Sequence, residues 1–230
     1  MNKALKWLDN FWYHYKWHVL VGLFIVVFLV VAVGQMINKE KVDAYIMYAG
    51  PTSFMPSEVE EMQNAFKEIM PDLNGDGKKI VEFINILHMT DEDIENNRKQ
   101  AEKDGVEYKP DLDFIAEQKQ KLKLQLAAGD AYILLLDPDA YSEDYELGMY
   151  NTLEKLGIES EYAYDDSSVK FRDTDYGKFY PIFEKLPKDT LLTFKVLNLM
   201  GKSKGKSEQK KFDNQLELMK KMLEFESTAK

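Results

Sequence analysis

The stretch Trp17–Ile37, WHVLVGLFIVVFLVVAVGQMI, constrains this chain more than any other, and from Val19 through Val33 no polar side chain interrupts it. A bilayer core about 30 Å thick is crossed by about 20 mostly apolar residues at about 1.5 Å rise each. A helix apolar on every face must otherwise be buried on all sides, a poor fit for a segment at one end of a modest chain. A transmembrane helix over 17–37 is expected, with Trp17, Val19, Leu23, Phe28, Val33 and Ile37 along it and the lipid bilayer as first partner. The competing expectation is a cleaved signal peptide, with Ala32-Val33-Gly34 as a small-x-small site. The apolar core exceeds the roughly 7–15 residues of a signal h-region, which favours an uncleaved signal-anchor.

The flanks set the expected orientation. Residues 1–16 form an aromatic and basic leader holding Lys3, Lys6 and Lys16, while 38–41 form a charged linker. Basic residues favour the cytoplasmic side, and a single N-terminal span with a short leader exports the domain attached beyond it. The N-terminus is therefore expected inside and residues 42–230 outside. Trp7, Trp12, Tyr13, Tyr15 and Trp17 suit the headgroup layer, where amphipathic rings concentrate. The leader and anchor hold three of the 30 Lys and Arg and one of the 40 Asp and Glu, leaving 27 basic against 39 acidic residues beyond them. Such an acidic domain argues against nucleic acid, whose phosphates are bound by Lys and Arg. The chain has no cysteine, which removes disulfides and a lipid-bearing thiol.

Beyond the anchor, apolar runs alternate with helical patterns. Val42–Ala49, Ile80–His88, Ala131–Leu136 and Thr190–Leu197 read as strands, with a shorter one at Val169–Phe171. Ser57 and Glu60 have capping-box spacing ahead of a helix over 57–70, and Thr90 with Asp93 suggests another helix start. A long helix from Asp113 ends at Gly129, another spans Glu143–Leu156, and a closing helix carries the stripe Phe212, Leu216, Met219 and Leu223. This order predicts an α/β class: one three-layer domain with a mostly parallel sheet, the first strand lying between the second and third.

The sharpest local motif is Asp72-Leu-Asn74-Gly-Asp76-Gly77, the first half of a calcium loop. Asp72, Asn74 and Asp76 would be oxygen ligands, Lys78 would add a backbone carbonyl, and Glu82 is the nearest late carboxylate. Phe83 occupies the place of the closing Glu and a strand comes next, so this is not an EF-hand; the structural alternative is an Asx-rich turn. Calcium (Ca2+) is the one cofactor the sequence raises. Gly201-Lys-Ser-Lys-Gly205-Lys206-Ser207 resembles a phosphate loop, but its first glycine is one residue too close.

Neither hydrolytic nor redox constellations are present, and His88 is the single histidine beyond the anchor. An enzyme is not expected. In open α/β sheets ligands settle beyond the carboxyl ends of the strands. That rule selects Gly50, Pro51, Thr52, His88, Thr90 and Asp137 as candidate ligand-binding residues.

The element order leading into QKQKLKLQLAAGDAYILLLDPDAY resembles one lobe of bacterial extracytoplasmic solute-binding proteins, with a helix ending in Ala-Gly-Asp before a strand with an Asp near its end. The leader NFWYHYKWH, the anchor and YAGP look like small uncharacterised single-pass membrane proteins of clostridium-like bacteria. Together these features lead to an expected membrane-anchored, extracytoplasmic α/β module with a binding or partner-docking role, a membrane or cell-envelope protein being a candidate partner. The alternatives are a calcium-dependent structural or adhesive module, or an accessory solute-binding component of a transporter.

Overall fold

The computed structural model describes residues 3–37, 41–197 and 205–226. The side chains of Val33 and Ile37, linker residues 38–40 and residues 201–204 of the basic loop lie outside the described residues. Two compact units result, 1–41 and 42–230.

The first unit is a single helix, α1 (Lys3–Ile37), of 35 residues and about 52 Å at 1.5 Å per residue. Leader and apolar run are therefore one continuous helix. Residues Phe11–Ala32 are long and apolar enough to cross a membrane. Trp17, Val19, Leu23 and Phe28 are all exposed along it. On the leader, Trp7, Phe11 and Tyr15 recur every four residues, so their rings stack in a ladder, with centroids 5.6 and 5.2 Å apart.

In the second unit β1 (Ala44–Gly50) leads to α2 (Pro56–Ile69), β2 (Val81–Leu87), α3 (Asp91–Lys103), α4 (Leu112–Ala128) and β3 (Ile133–Leu136). Next come α5 (Pro138–Tyr145), α6 (Leu153–Leu156), β4 (Ser168–Lys170), α7 (Asp175–Phe179), β5 (Leu191–Phe194) and α8 (Lys206–Leu223), with 3-10 turns on both sides of α7. The strand order is β2-β1-β3-β5-β4. As expected, β1 lies between β2 and β3 and runs parallel to both. The rest departs from expectation. β5 pairs antiparallel with β3 and with β4, so the sheet is mixed and not mostly parallel. After β3 the chain runs through short turns and helices instead of the long helical crossover that a parallel return requires.

Period-2 alternation divides the strands between two core clusters. Ala44, Ile46 and Tyr48 of β1, Phe83 of β2 and Leu192 and Phe194 of β5 pack with α2, α7 and α8. Met47 and Ala49 of β1, Ile86 of β2 and Leu134 and Leu136 of β3 pack with Leu122 and Leu126 of α4 and Ala140 and Tyr141 of α5. The first cluster is dense in rings. Phe66 lies 5.2 Å from Phe183 and 5.9 Å from Tyr176, centroid to centroid.

Several boundaries shift for identifiable reasons. α2 begins at Pro56, whose fixed φ and missing N–H suit a first helical position, so the cap is Met55 and not Ser57. The Met55 N–H donates to the Glu58 carboxylate at 2.8 Å. The helix expected over Glu143–Leu156 starts earlier, at Pro138, and is broken where Gly148 adopts φ 66°. On α4, Leu122 and Leu126 are buried while Phe114 is exposed.

Candidate functional site at the carboxyl edge of the parallel strands

The carboxyl ends of β2, β1 and β3 lie side by side because the parallel ladder continues past the strands. The His88 N–H donates to the Gly50 carbonyl at 2.9 Å, and the Asp137 N–H to the Ala49 carbonyl at 2.8 Å. Gly50, His88 and Asp137 are thereby brought to one edge. Gly50 must be glycine: a Cβ there would lie 2.4 Å from the Tyr48 hydroxyl oxygen. That hydroxyl accepts the Thr52 N–H at 3.3 Å, so Pro51 and Thr52 fold back over β1.

Each remaining residue has a local task. Thr90 caps α3: its hydroxyl oxygen accepts the Asp93 N–H at 3.1 Å, and Asp93 accepts the Thr90 N–H at 2.8 Å. Asp137 caps α5 by accepting the Asp139 N–H at 3.0 Å. Burial pushes the Asp137 carboxyl up to about 6; the Asp139 N–H opposes this, and the nearby charges of Asp189, Asp139 and Asp93 add to it.

His88 differs from these. It is 3 % exposed, yet neither ring nitrogen has a hydrogen-bond partner among the described residues. Its Nε2 lies 3.6 Å from Glu143 Oε1, just beyond hydrogen-bond reach, and the same oxygen accepts from Lys119 Nζ at 2.9 Å. Burial lowers the His88 pKa, with the Glu143 charge opposing, so the ring favours its neutral form. Burial also acts to raise the Glu143 carboxyl, but the Lys119 hydrogen bond and charge outweigh it and hold it below its ordinary range.

These groups share a cleft of about 340 Å³ between α3 and α4 at the end of β2. Its apolar lining includes Ile94, Leu112, Ile115 and Ala116, and its polar lining Thr90, Asp91, Lys119, Glu143 and His88. Gly50, Pro51, Thr52 and Asp137 do not line it. Glu143 and Lys119 were missed by sequence reasoning because charged residues on helices read as solvated surface. Lys119 sits one turn before the buried Leu122, and that register was the available signal.

The calcium-type loop folds on itself. The Asp72 carboxylate accepts the Gly75 N–H at 2.7 Å and the Gly77 N–H at 2.8 Å. The Asn74 side-chain oxygen accepts the Asp76 N–H at 2.8 Å, and Asp76 accepts the Lys78 N–H at 3.0 Å. Gly75 and Gly77 have φ 80° and 81°, which only glycine adopts readily. The loop is fastened to the sheet by Asp43, a residue the sequence did not single out, whose carboxylate accepts from the Asn74 and Ile80 N–H groups at 2.9 Å each. Glu82 is exposed on β2, in register with Tyr45. Among the described residues, no three His, Asp or Glu side chains gather as a metal site.

Comparison with protein-family models, curated proteins and solved structures finds no match to the chain.

Proposed function

We propose that the chain is a single-pass membrane protein, N-terminus in the cytoplasm, whose 42–230 domain acts outside as a non-catalytic binding module. Its site is the α3–α4 cleft at the end of β2, and the domain works as three layers, with the sheet between α2 and α8 on one side and α4 and α5 on the other. The observation that carries this reading is His88: a buried ring whose two nitrogens have no partner among the described residues, lining a cleft of mixed apolar and charged residues. Unsatisfied buried polar atoms are rare in native proteins, and a ligand is one way of completing them. Pockets of this kind, largely apolar with a few placed polar groups, are ordinary small-molecule sites.

The test combines topology with occupancy. Protease added to intact cells should digest the 42–230 domain, and full protection would overturn the orientation. A thermal-shift screen of small polar and amphipathic compounds on the full chain in detergent micelles should give ligands whose effect Ala116→Trp, which fills the cleft, abolishes. Equal shifts in the two proteins would remove the cleft as the site.

A second reading, the calcium-dependent module, draws on Asp72. Its carboxylate lies in one tight turn with the side-chain oxygens of Asn74 and Asp76. It expects millimolar calcium to raise the melting temperature and Asp72→Ala with Asp76→Ala to abolish the rise. Identical melting with and without calcium would discard it.

A further inference from the structure

The charges of the cleft point to a narrower ligand class. Among the described residues, three charged side chains line the cleft: Asp91 in the first turn of α3, and Lys119 and Glu143, which pair at 2.9 Å and are each partly exposed. A ligand bearing only a positive or only a negative charge would draw one member of that pair away and leave the other unpaired, which costs much of what the new contact gains. A ligand bearing both charges opens the pair and satisfies both members. His88 stands beside Glu143, and a neutral imidazole offers one acceptor and one donor. The lining also includes Ile94 and Ile115, which suit an apolar body, and about 340 Å³ is at the small end of the ligand-site range.

We propose that the cleft takes a small zwitterion with an apolar body, the chemistry of an apolar amino acid: carboxylate against Lys119, ammonium against Glu143 and His88 Nε2, side chain against Ile94 and Ile115. This rests on the cleft being the binding site, as above. His88 acts as a positioning and hydrogen-bonding group, and no bond is made or broken.

The test is calorimetric titration of the full chain in detergent micelles with L-leucine and L-phenylalanine. Each is paired with its amine-only counterpart (3-methylbutylamine, phenethylamine) and its acid-only counterpart (4-methylpentanoate, 3-phenylpropanoate). The zwitterions should bind, and the single-charge compounds should bind about tenfold more weakly or not at all. Glu143→Gln and Lys119→Met should each weaken the zwitterion about tenfold while leaving far-UV circular dichroism unchanged, since both side chains are half exposed. An amine or an acid that binds as well as its parent zwitterion overturns the proposal and leaves the cleft reading standing. The same holds if none of the six compounds binds but another compound shifts melting in the wild type and not in Ala116→Trp. Absence of every such ligand overturns both.

Discussion

The two faces of the sheet are built to different standards. On the α2, α7 and α8 side, Phe66, Phe83, Phe171, Tyr176 and Phe183 interlock as rings. On the α4 and α5 side the cluster is smaller, with one stacked ring pair, Tyr141 and Tyr150, and polar groups beside it: buried Lys195, the Tyr150 hydroxyl without a partner among the described residues, and His88. Outermost there is α3, which contains no buried residue. Burial of apolar surface stabilises, whereas burial of polar groups without full satisfaction does not. The ring side too has a buried hydroxyl without a partner among the described residues, that of Tyr176, so the difference rests on its larger apolar cluster.

The comparison breaks first if the ring cluster is not the stronger side. Phe66→Ala should cost about 3–5 kcal/mol in denaturant unfolding, the range for deleting a buried phenylalanine; a loss near that of a surface mutation would refute the contrast. Next is Lys195, whose Nζ donates to the Gly129 carbonyl at 2.7 Å and the Gln125 carbonyl at 3.2 Å, closing the C-terminal end of α4. It also lies 5.1 Å from the Tyr132 ring centroid, within cation–π range. Lys195→Met keeps the stem but leaves those carbonyls without this donor, and should cost about 1–3 kcal/mol in the same assay.

Asp137 gives a smaller, pH-dependent term. Its folded pKa of about 6 is above the ordinary 3.8, so between these values the folded state binds more protons than the unfolded one. Stability from this group is thus highest below pH 4 and falls as the pH rises through 6. Asp137→Asn, which can still cap α5, should remove that slope and gain about 1 kcal/mol at pH 7 after allowing for solvent screening. Parallel stability–pH curves for the two proteins would contradict it. Smallest of all, Ile94→Ala on α3 should change stability by about 0.5 kcal/mol or less. A larger loss would mean that α3 belongs to the core after all.

Legibility in the sequence followed the same division. The three parallel strands could be read because each is rich in apolar residues, with Gly-Pro after β1 and Asp-Pro after β3, and the Thr90–Asp93 cap follows from spacing alone. β4 and β5 could be located but not oriented, because antiparallel pairing depends on how the intervening chain returns. The polar clasps were invisible: Asp43 under the loop, and Gln215 of α8, whose side-chain oxygen accepts the Tyr132 N–H at 2.8 Å. In sequence such residues look like surface. Lys195 did carry a signal, since Leu191, Thr193 and Lys195 alternate onto one face of β5. The carboxyl-edge rule picked out His88 and Thr90, which line the cleft, together with Gly50, Pro51, Thr52 and Asp137, which do not. It could not find Lys119 and Glu143, which reach the cleft from helices.

The central position of β1 also bears on how the chain is made. β1 pairs with β2 through Ile46 and Phe83, but its other edge waits for Ile133, about ninety residues further along. During synthesis at roughly 5–20 residues per second, that edge stays open for about 4–18 seconds with Met47 and Ala49 unpaired. Contacts so distant in sequence form late. The nascent β1–α2–β2 segment therefore carries an open strand edge until β3 emerges.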